Sequence, residues 1–341
     1  IGSPLLSFLL CSLCTPLQKY FFANSKRKKG QQMSISKLQE IFAALPYADT
    51  WSLQLLRVKT SKRSGTIYTG REITFTPPGK LNEFVSEISS RYIDSSSGIL
   101  QSFLEVMNYD GSSIDKTVYK LQAESELISD EYSALIAAVA TPDVETNPLE
   151  FRAQAYLLKG TITLDGMPYP VKLISMQNPV TTLKHKFWMR NGEFQEIGNK
   201  VLSLRPAIDV VIFNDCVYML TLAGENLFNM ERSYKTICAA KISVINESNI
   251  VTDFEAFAAI AGSGHNPRKF VSFNDAHLQK LKNANTRKRM AKKFSISLDG
   301  DKFDSTKPDT ADKIVKLLCD RGMVDPFDDN PKEVAGSKQW V

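Results

Sequence analysis

Eleven basic residues fall between His265 and Lys307: Arg268, Lys269, Lys280, Lys282, Arg287, Lys288, Arg289, Lys292, Lys293, Lys302 and Lys307. They face only Asp275, Asp299, Asp301 and Asp304, and the excess of seven exceeds the +5 of the whole 341-residue chain. Lys and Arg at this density suit an electrostatic task. They neutralise phosphates and displace counterions without reading base sequence. At about 100° per residue in a continuous helix, Lys282, Arg289 and Lys293 fall within about 40° of one another and form a stripe facing successive phosphates. The competing reading is an ordinary solvated helix face. On charge alone that solvated face is the commoner outcome; a DNA-binding reading would use Arg268, Lys269, Lys282, Arg287, Lys288, Arg289, Lys292 and Lys293, with binding that is indifferent to sequence and sensitive to salt. Arg57, Lys59, Lys62 and Arg63 form a second basic group, and Lys184, Lys186 and Arg190 a third beside Phe187 and Trp188. Those two aromatics suit stacking on unpaired bases, although core packing is the commoner use of such side chains.

Bond-breaking chemistry has less support. Asp209 opens an apolar run, as the first metal-binding acid does in many nucleases, and Asp215 and Glu225 follow. Metal-assisted phosphodiester hydrolysis requires further carboxylates and a lysine beside the cation. The next run, Val217 to Leu222, supplies neither. Asp215 reads more simply as a turn former, Glu225 as an acid at a helix N-terminus, and Asp209 as the ion-pair partner of Arg205. A metal-dependent nuclease using Asp209 stays as the alternative function, beside a non-catalytic scaffold whose basic face meets acidic lipids or an acidic partner. His185, His265 and His277 have no Cys or acidic neighbour at metal-ligand spacing, and Cys11-x-x-Cys14 has no second pair. Gly262-Ser263-Gly264-His265-Asn266-Pro267 lacks the Gly-Lys-Ser/Thr of a phosphate-binding loop. No catalytic residues, metal or cofactor are assigned.

The elements that must carry these residues follow from periodicity. Leu38, Ile41, Phe42 and Leu45 recur at helical spacing after Ser34 and before Pro46. Trp51–Val58 alternates as a strand and turns back at 66–68, residues 80–93 are helical, 99–109 and 114–121 are short strands, and 127–140 is a helix. Thr141 to Pro148, with two prolines, reads as a linker. Beyond it lie short runs at 151–158, 161–164, 168–175, 184–188, 201–204, 209–213 and 217–222, the last two hinged at Asn214-Asp215. Helices follow at 227–245, 253–261, 275–293 (with a possible break at Asn283-Ala284-Asn285) and 311–320. The fold class is α+β, a mostly antiparallel twisted sheet in the middle of the chain with helices before and after it. Residues 33–141 form an N-terminal α+β domain and 149–341 a C-terminal one.

Composition sets outer limits. Hydrophobic content of 43% and charged content of 23% are ordinary for a globular protein, and five cysteines without a framework spacing suit a reducing, cytoplasmic setting. Residues 1–32, an apolar run followed by Lys26-Arg27-Lys28-Lys29 and preceding the first methionine at Met33, read as a non-native upstream extension, with a peripheral membrane tail as the alternative. The apolar run is shorter than the ~20 residues a spanning helix needs.

Several local sequences together resemble one family. They are Arg205-Pro206-x-x-Asp209 before two short strands, Glu225-Asn226-Leu227-Phe228-Asn229-Met230-Glu231-Arg232-Ser233-Tyr234 before a helix, and Leu278-x-x-Leu281-x-Asn283 before the basic helix. Ile314-Val315-Lys316-Leu317-Leu318 and Glu333-Val334-Ala335-Gly336-Ser337-Lys338 complete the set. Over most of 149–341 this order is similar to the KwaB family of the Kiwa antiphage defence system. The resemblance implies a DNA-binding defence protein that works with a small KwaA-like membrane protein, which would draw it to the inner face of the membrane. A homo-oligomer is expected. No catalytic residues come with the resemblance.

Overall fold

The computed structural model describes residues 34–61, 65–77, 79–145, 147, 149–182, 187–190, 192–196, 200–324 and 331–334. Residues 1–32, Lys62, Arg63, Lys184 and Lys186 lie outside them. Helix α1 (Ile35–Ala44) starts where Ser34 Oγ accepts from the Lys37 amide, and a 3₁₀ turn over Leu45–Tyr47 absorbs Pro46. Strands β1 (Trp51–Ser61) and β2 (Gly65–Ile73) form the expected hairpin. Helix α2 (Gly79–Ile93), strands β3 (Glu105–Asn108) and β4 (Thr117–Gln122), and helix α3 (Ser129–Ala140) follow. The stretch read as a linker contains a two-residue strand, β5 (Asp143–Val144), paired parallel with β2.

Strands β6 (Ala155–Leu164) and β7 (Met167–Ser175) turn at Asp165-Gly166, both with positive φ. Two small ribbons come next: β8 (Val180–Thr182) pairs with β11 (Lys200–Leu202), and β9 (Phe187–Arg190) with β10 (Glu193–Glu196). Strands β12 (Val210–Phe213) and β13 (Cys216–Met219) hinge on Asn214 and Asp215, both at φ 54°, the conformation a two-residue hairpin turn requires.

Nine strands make one sheet in the order β3-β4-β13-β12-β7-β6-β1-β2-β5. Its interior is antiparallel, and the pairs β3–β4 and β2–β5 at its two edges are parallel, so the sheet is mixed. It also draws on more of the chain than its middle, since β1 pairs with β6 and β4 with β13. Every residue of β12 and β13 is buried, which hides the period-2 signal of a one-faced strand. Val211, Phe213 and Tyr218 pack on one face with α1 and α2; Val210, Ile212, Val217 and Met219 pack on the other with α3. Gly160 lies opposite Trp51, and a side chain there would come within 2.7 Å of the indole.

The chain then becomes helical: α4 (Ala223–Leu227), α5 (Met230–Ser248), α6 (Phe254–Ala261), α7 (Asn266–Lys269), α8 (Asp275–Leu281) and α9 (Ala284–Phe294). The helix expected from Leu227 is interrupted by Asn229, whose φ of 47° separates α4 from α5. After strands β14 (Leu298–Asp299) and β15 (Lys302–Phe303) come α10 (Pro308–Leu318), β16 (Gly322–Val324) and β17 (Pro331–Glu333). A third core, with Ile245, Phe257, Leu278, Phe303, Ile314 and Leu318, holds this layer together. No helix among the described residues is long and apolar enough to cross a membrane.

Candidate nucleic-acid interface

Helix α9 carries the densest positive charge. Asn283, in extended backbone, accepts from the Thr286 amide at 3.1 Å and caps it, and Ser295 closes it in the left-handed region at φ 51°. The cap divides what a continuous helix would have joined. Lys282 belongs to the end of α8, so it does not extend the α9 row as a straight 275–293 helix would require. Within α9, Arg287 and Ala291 are buried, while Lys288, Arg289, Lys292 and Lys293 are exposed. The exposed four form two rows, 288–292 and 289–293, each at i,i+4 spacing. Like charges so spaced cost about 0.2–0.5 kcal/mol per pair. Lys288 is relieved by Asp301 at 2.7 Å. Arg289, Lys292, Lys293 and Lys282 form no ion pair among the described residues. Lys292 and Lys293 also sit in the last turn, where the helix dipole favours cations, a structural benefit that needs no ligand.

Arg287 has a different environment. It is 8% exposed, and its Nη1 donates to the carbonyls of Leu281 at 2.7 Å and Lys282 at 2.9 Å, while Nε donates to the Asp301 carbonyl. These bonds tie the end of α8 to the loop before β15. Arg268 and Lys269 are likewise engaged inside the molecule. Arg268 pairs with Glu225 and donates to Tyr109 Oη and the Ser112 carbonyl, both at 3.1 Å. Lys269 Nζ lies 3.1 Å from Glu333 and 3.5 Å from Asp312. The eight basic residues therefore separate into an exposed group on α9 with Lys282 beside it, and three that bind other parts of the chain.

Tyr109, Glu225, Tyr234 and Arg268 form a network that local spacing does not reveal. Tyr109 Oη donates to Glu225 at 2.9 Å and shares a hydrogen bond with Tyr234 Oη. Burial, reinforced by Tyr234 and by the Glu225 carboxylate, pushes the Tyr109 hydroxyl far above the usual phenol range. The network borders a cleft of about 580 Å³ that Asn226, Lys235 and His265 also line. Its loop is tightly seated: Gly111 has φ +80°, and a Cβ there would lie 2.3 Å from the Arg268 carbonyl. Glu225 does lie in the first turn of a helix, as its sequence position suggests. Asp215 occupies the hairpin turn, and its carbonyl accepts from Ala123.

Asp209 and Arg205 do not pair. The Asp209 carboxylate accepts from the Met176 amide at 2.7 Å and Thr221 Oγ1 at 2.5 Å, which fastens the ends of β7 and β13 to the start of β12. Arg205 Nε donates instead to Gln177 Oε1 at 2.6 Å, because its own carbonyl is held by Tyr156 Oη and Gln177 Nε2. Among the described residues no three His, Cys, Asp or Glu side chains gather as a metal site. Arg57 stacks over Phe151, 4.3 Å from its ring centre, and Lys59 is exposed on β1.

Residues 169–324 match the family model described as Kiwa protein KwaB-like. That span contains β12, β13, the Glu225 motif and all of α9, so the resemblance to the KwaB family holds across the candidate interface. It points to a role in Kiwa antiphage defence. No curated protein and no solved structure matches the chain.

Proposed function

We propose, from the KwaB-like span of residues 169–324, that the protein is an antiphage defence component that binds DNA through the exposed face of α9. It acts there with a small KwaA-like membrane protein and as a homo-oligomer, without hydrolysing the DNA. The observation that carries the reading is the set Arg289, Lys292 and Lys293. Three adjacent cations face solvent on a capped helix with no acidic partner among the described residues. Such a face contacts phosphates, so binding should not depend on sequence and should weaken steeply with salt.

A mobility-shift titration over a salt series, using duplexes of unrelated sequence, tests this. Wild-type protein should shift them with similar affinity. Arg289→Glu, Lys292→Glu and Lys293→Glu together should abolish the shift at moderate salt, each lost phosphate contact reducing the log–log salt slope by about one. Binding unchanged in the triple variant removes the residue assignment, and no binding at low salt removes the class. A parallel incubation with magnesium or manganese, in which the DNA stays intact, separates binding from hydrolysis.

A further inference from the structure

A second cleft, of about 390 Å³, lies between the β3–β4 loop, α7 and the ribbon β16–β17. Lys269, Arg268, Arg321 and His265 line it, and Glu333 is the carboxylate among the described residues that does so. Arg321 is 3% exposed. Its Nη2 donates to the Asp110 carbonyl at 2.7 Å and lies 3.6 Å from the Asp110 carboxylate, but its Nη1 is buried with no hydrogen-bond partner among the described residues. A buried guanidinium N–H without an acceptor is costly, so Arg321 Nη1 can take one further acceptor oxygen.

Glu333 shows what kind of group the cleft takes. Its carboxylate bridges Lys269 at 3.1 Å and Lys316 at 2.9 Å. The cation is the more buried member of each pair here: Lys269 is 18% exposed against 45% for Glu333, and Arg321 is 4% exposed against 26% for its own partner Asp110. The positive groups are thus fixed in the wall, and the negative group sits on the outer lip, carried by a three-residue strand.

We infer that this cleft is an oxyanion site for a phosphate ester, in which Lys269 and Arg321 hold the phosphate oxygens and Glu333 is the carboxylate the ligand displaces. A phosphate brings more acceptor oxygens than a carboxylate, which suits the fork of Arg321 Nη1 and the Lys269 ammonium. The volume leaves space for the organic part of an ester. The site is separate from α9 and does not depend on the DNA-binding reading.

Melting and calorimetric titration of the full chain with inorganic phosphate, against chloride at matched ionic strength, tests it. Phosphate should raise the melting temperature where chloride does not. Glu333→Gln, at an exposed position, should tighten phosphate binding several-fold by removing the competing carboxylate, and Lys269→Gln should abolish it. Phosphate acting no differently from chloride in both the wild type and Glu333→Gln overturns the assignment, as does weaker binding by Glu333→Gln. If Lys269→Gln does not melt cooperatively, the Glu333→Gln comparison alone decides. The triple Glu variant of α9 should keep its phosphate response, which separates this site from the proposed DNA face. Competition by a deoxynucleoside 5′-monophosphate identifies a terminal phosphate as the source, and competition by a duplex lacking terminal phosphates identifies the backbone.

Discussion

Arg287 and Arg289 are two positions apart and carry the same charge, yet their substitution should have opposite consequences. Arg287→Ala leaves three backbone carbonyls without their donor and should cost at least about 2 kcal/mol in urea denaturation. Arg289 is exposed and makes no hydrogen bond or ion pair among the described residues, so Arg289→Ala should stay within about 0.5 kcal/mol of wild type, while weakening DNA binding. Tyr109→Phe should cost about 1–3 kcal/mol, because it strips Glu225, Tyr234 and Arg268 of a shared partner. Burial alone would raise the carboxyls of Asp312 and Glu333, but Lys316 and Lys269 outweigh it and hold both below their ordinary range. Their stabilisation is therefore full above the ordinary carboxylate value of about 4 and is lost as pH falls through the lower folded values. An acid-unfolding curve of Asp312→Asn should be flatter than wild type in that window. Burial also pushes the thiol of Cys238 up to about 11 and that of Cys319 up to about 12. Peptide mass spectrometry after alkylation of the native protein at pH 8 should find both unmodified, and modified once urea is present.

Helix α9 depends on Asn283 for its start, and Asn283→Ala should lower stability by about 1 kcal/mol in thermal melts. The same cap shows what a local reading can reach. Asn283 marks a possible break within 275–293, Asn214-Asp215 marks the central hairpin, and Ser34 marks the start of α1, because capping and positive φ are properties of a few neighbouring residues. Pairings set by distant chain were not legible. The two-residue strand β5 looks like a linker, since its Asp143-Val144 has no pattern of its own and gains strand character only from β2. The positive charge of α9 could be counted directly. Its division into buried Arg287 and exposed Arg289 could not, because the partners of Arg287 include a loop fourteen residues downstream. Nor could the Tyr109–Glu225–Arg268 network, whose members are brought together across separations of 43, 116 and 159 residues.

The sheet joins chain from both sides of residue 148. Separating the chain at residue 148 would strip β1 of β6 and β4 of β13, exposing two unpaired edges on each piece. The two pieces, expressed apart, should be insoluble or proteolytically labile, as limited trypsin digestion would show. The order of strands also sets a timetable for synthesis. Cys216 of β13 meets Gln122 of β4 across 94 residues, and β12 and β13 lie between β4 and β7 in the finished sheet. At ~5–20 residues per second, a ribosome that has made β4 needs on the order of ten seconds to make the strands that will cover it. Through that interval the first 122 residues have a sheet with no centre, so a nascent chain stalled before Met219 should be the species that chaperones hold.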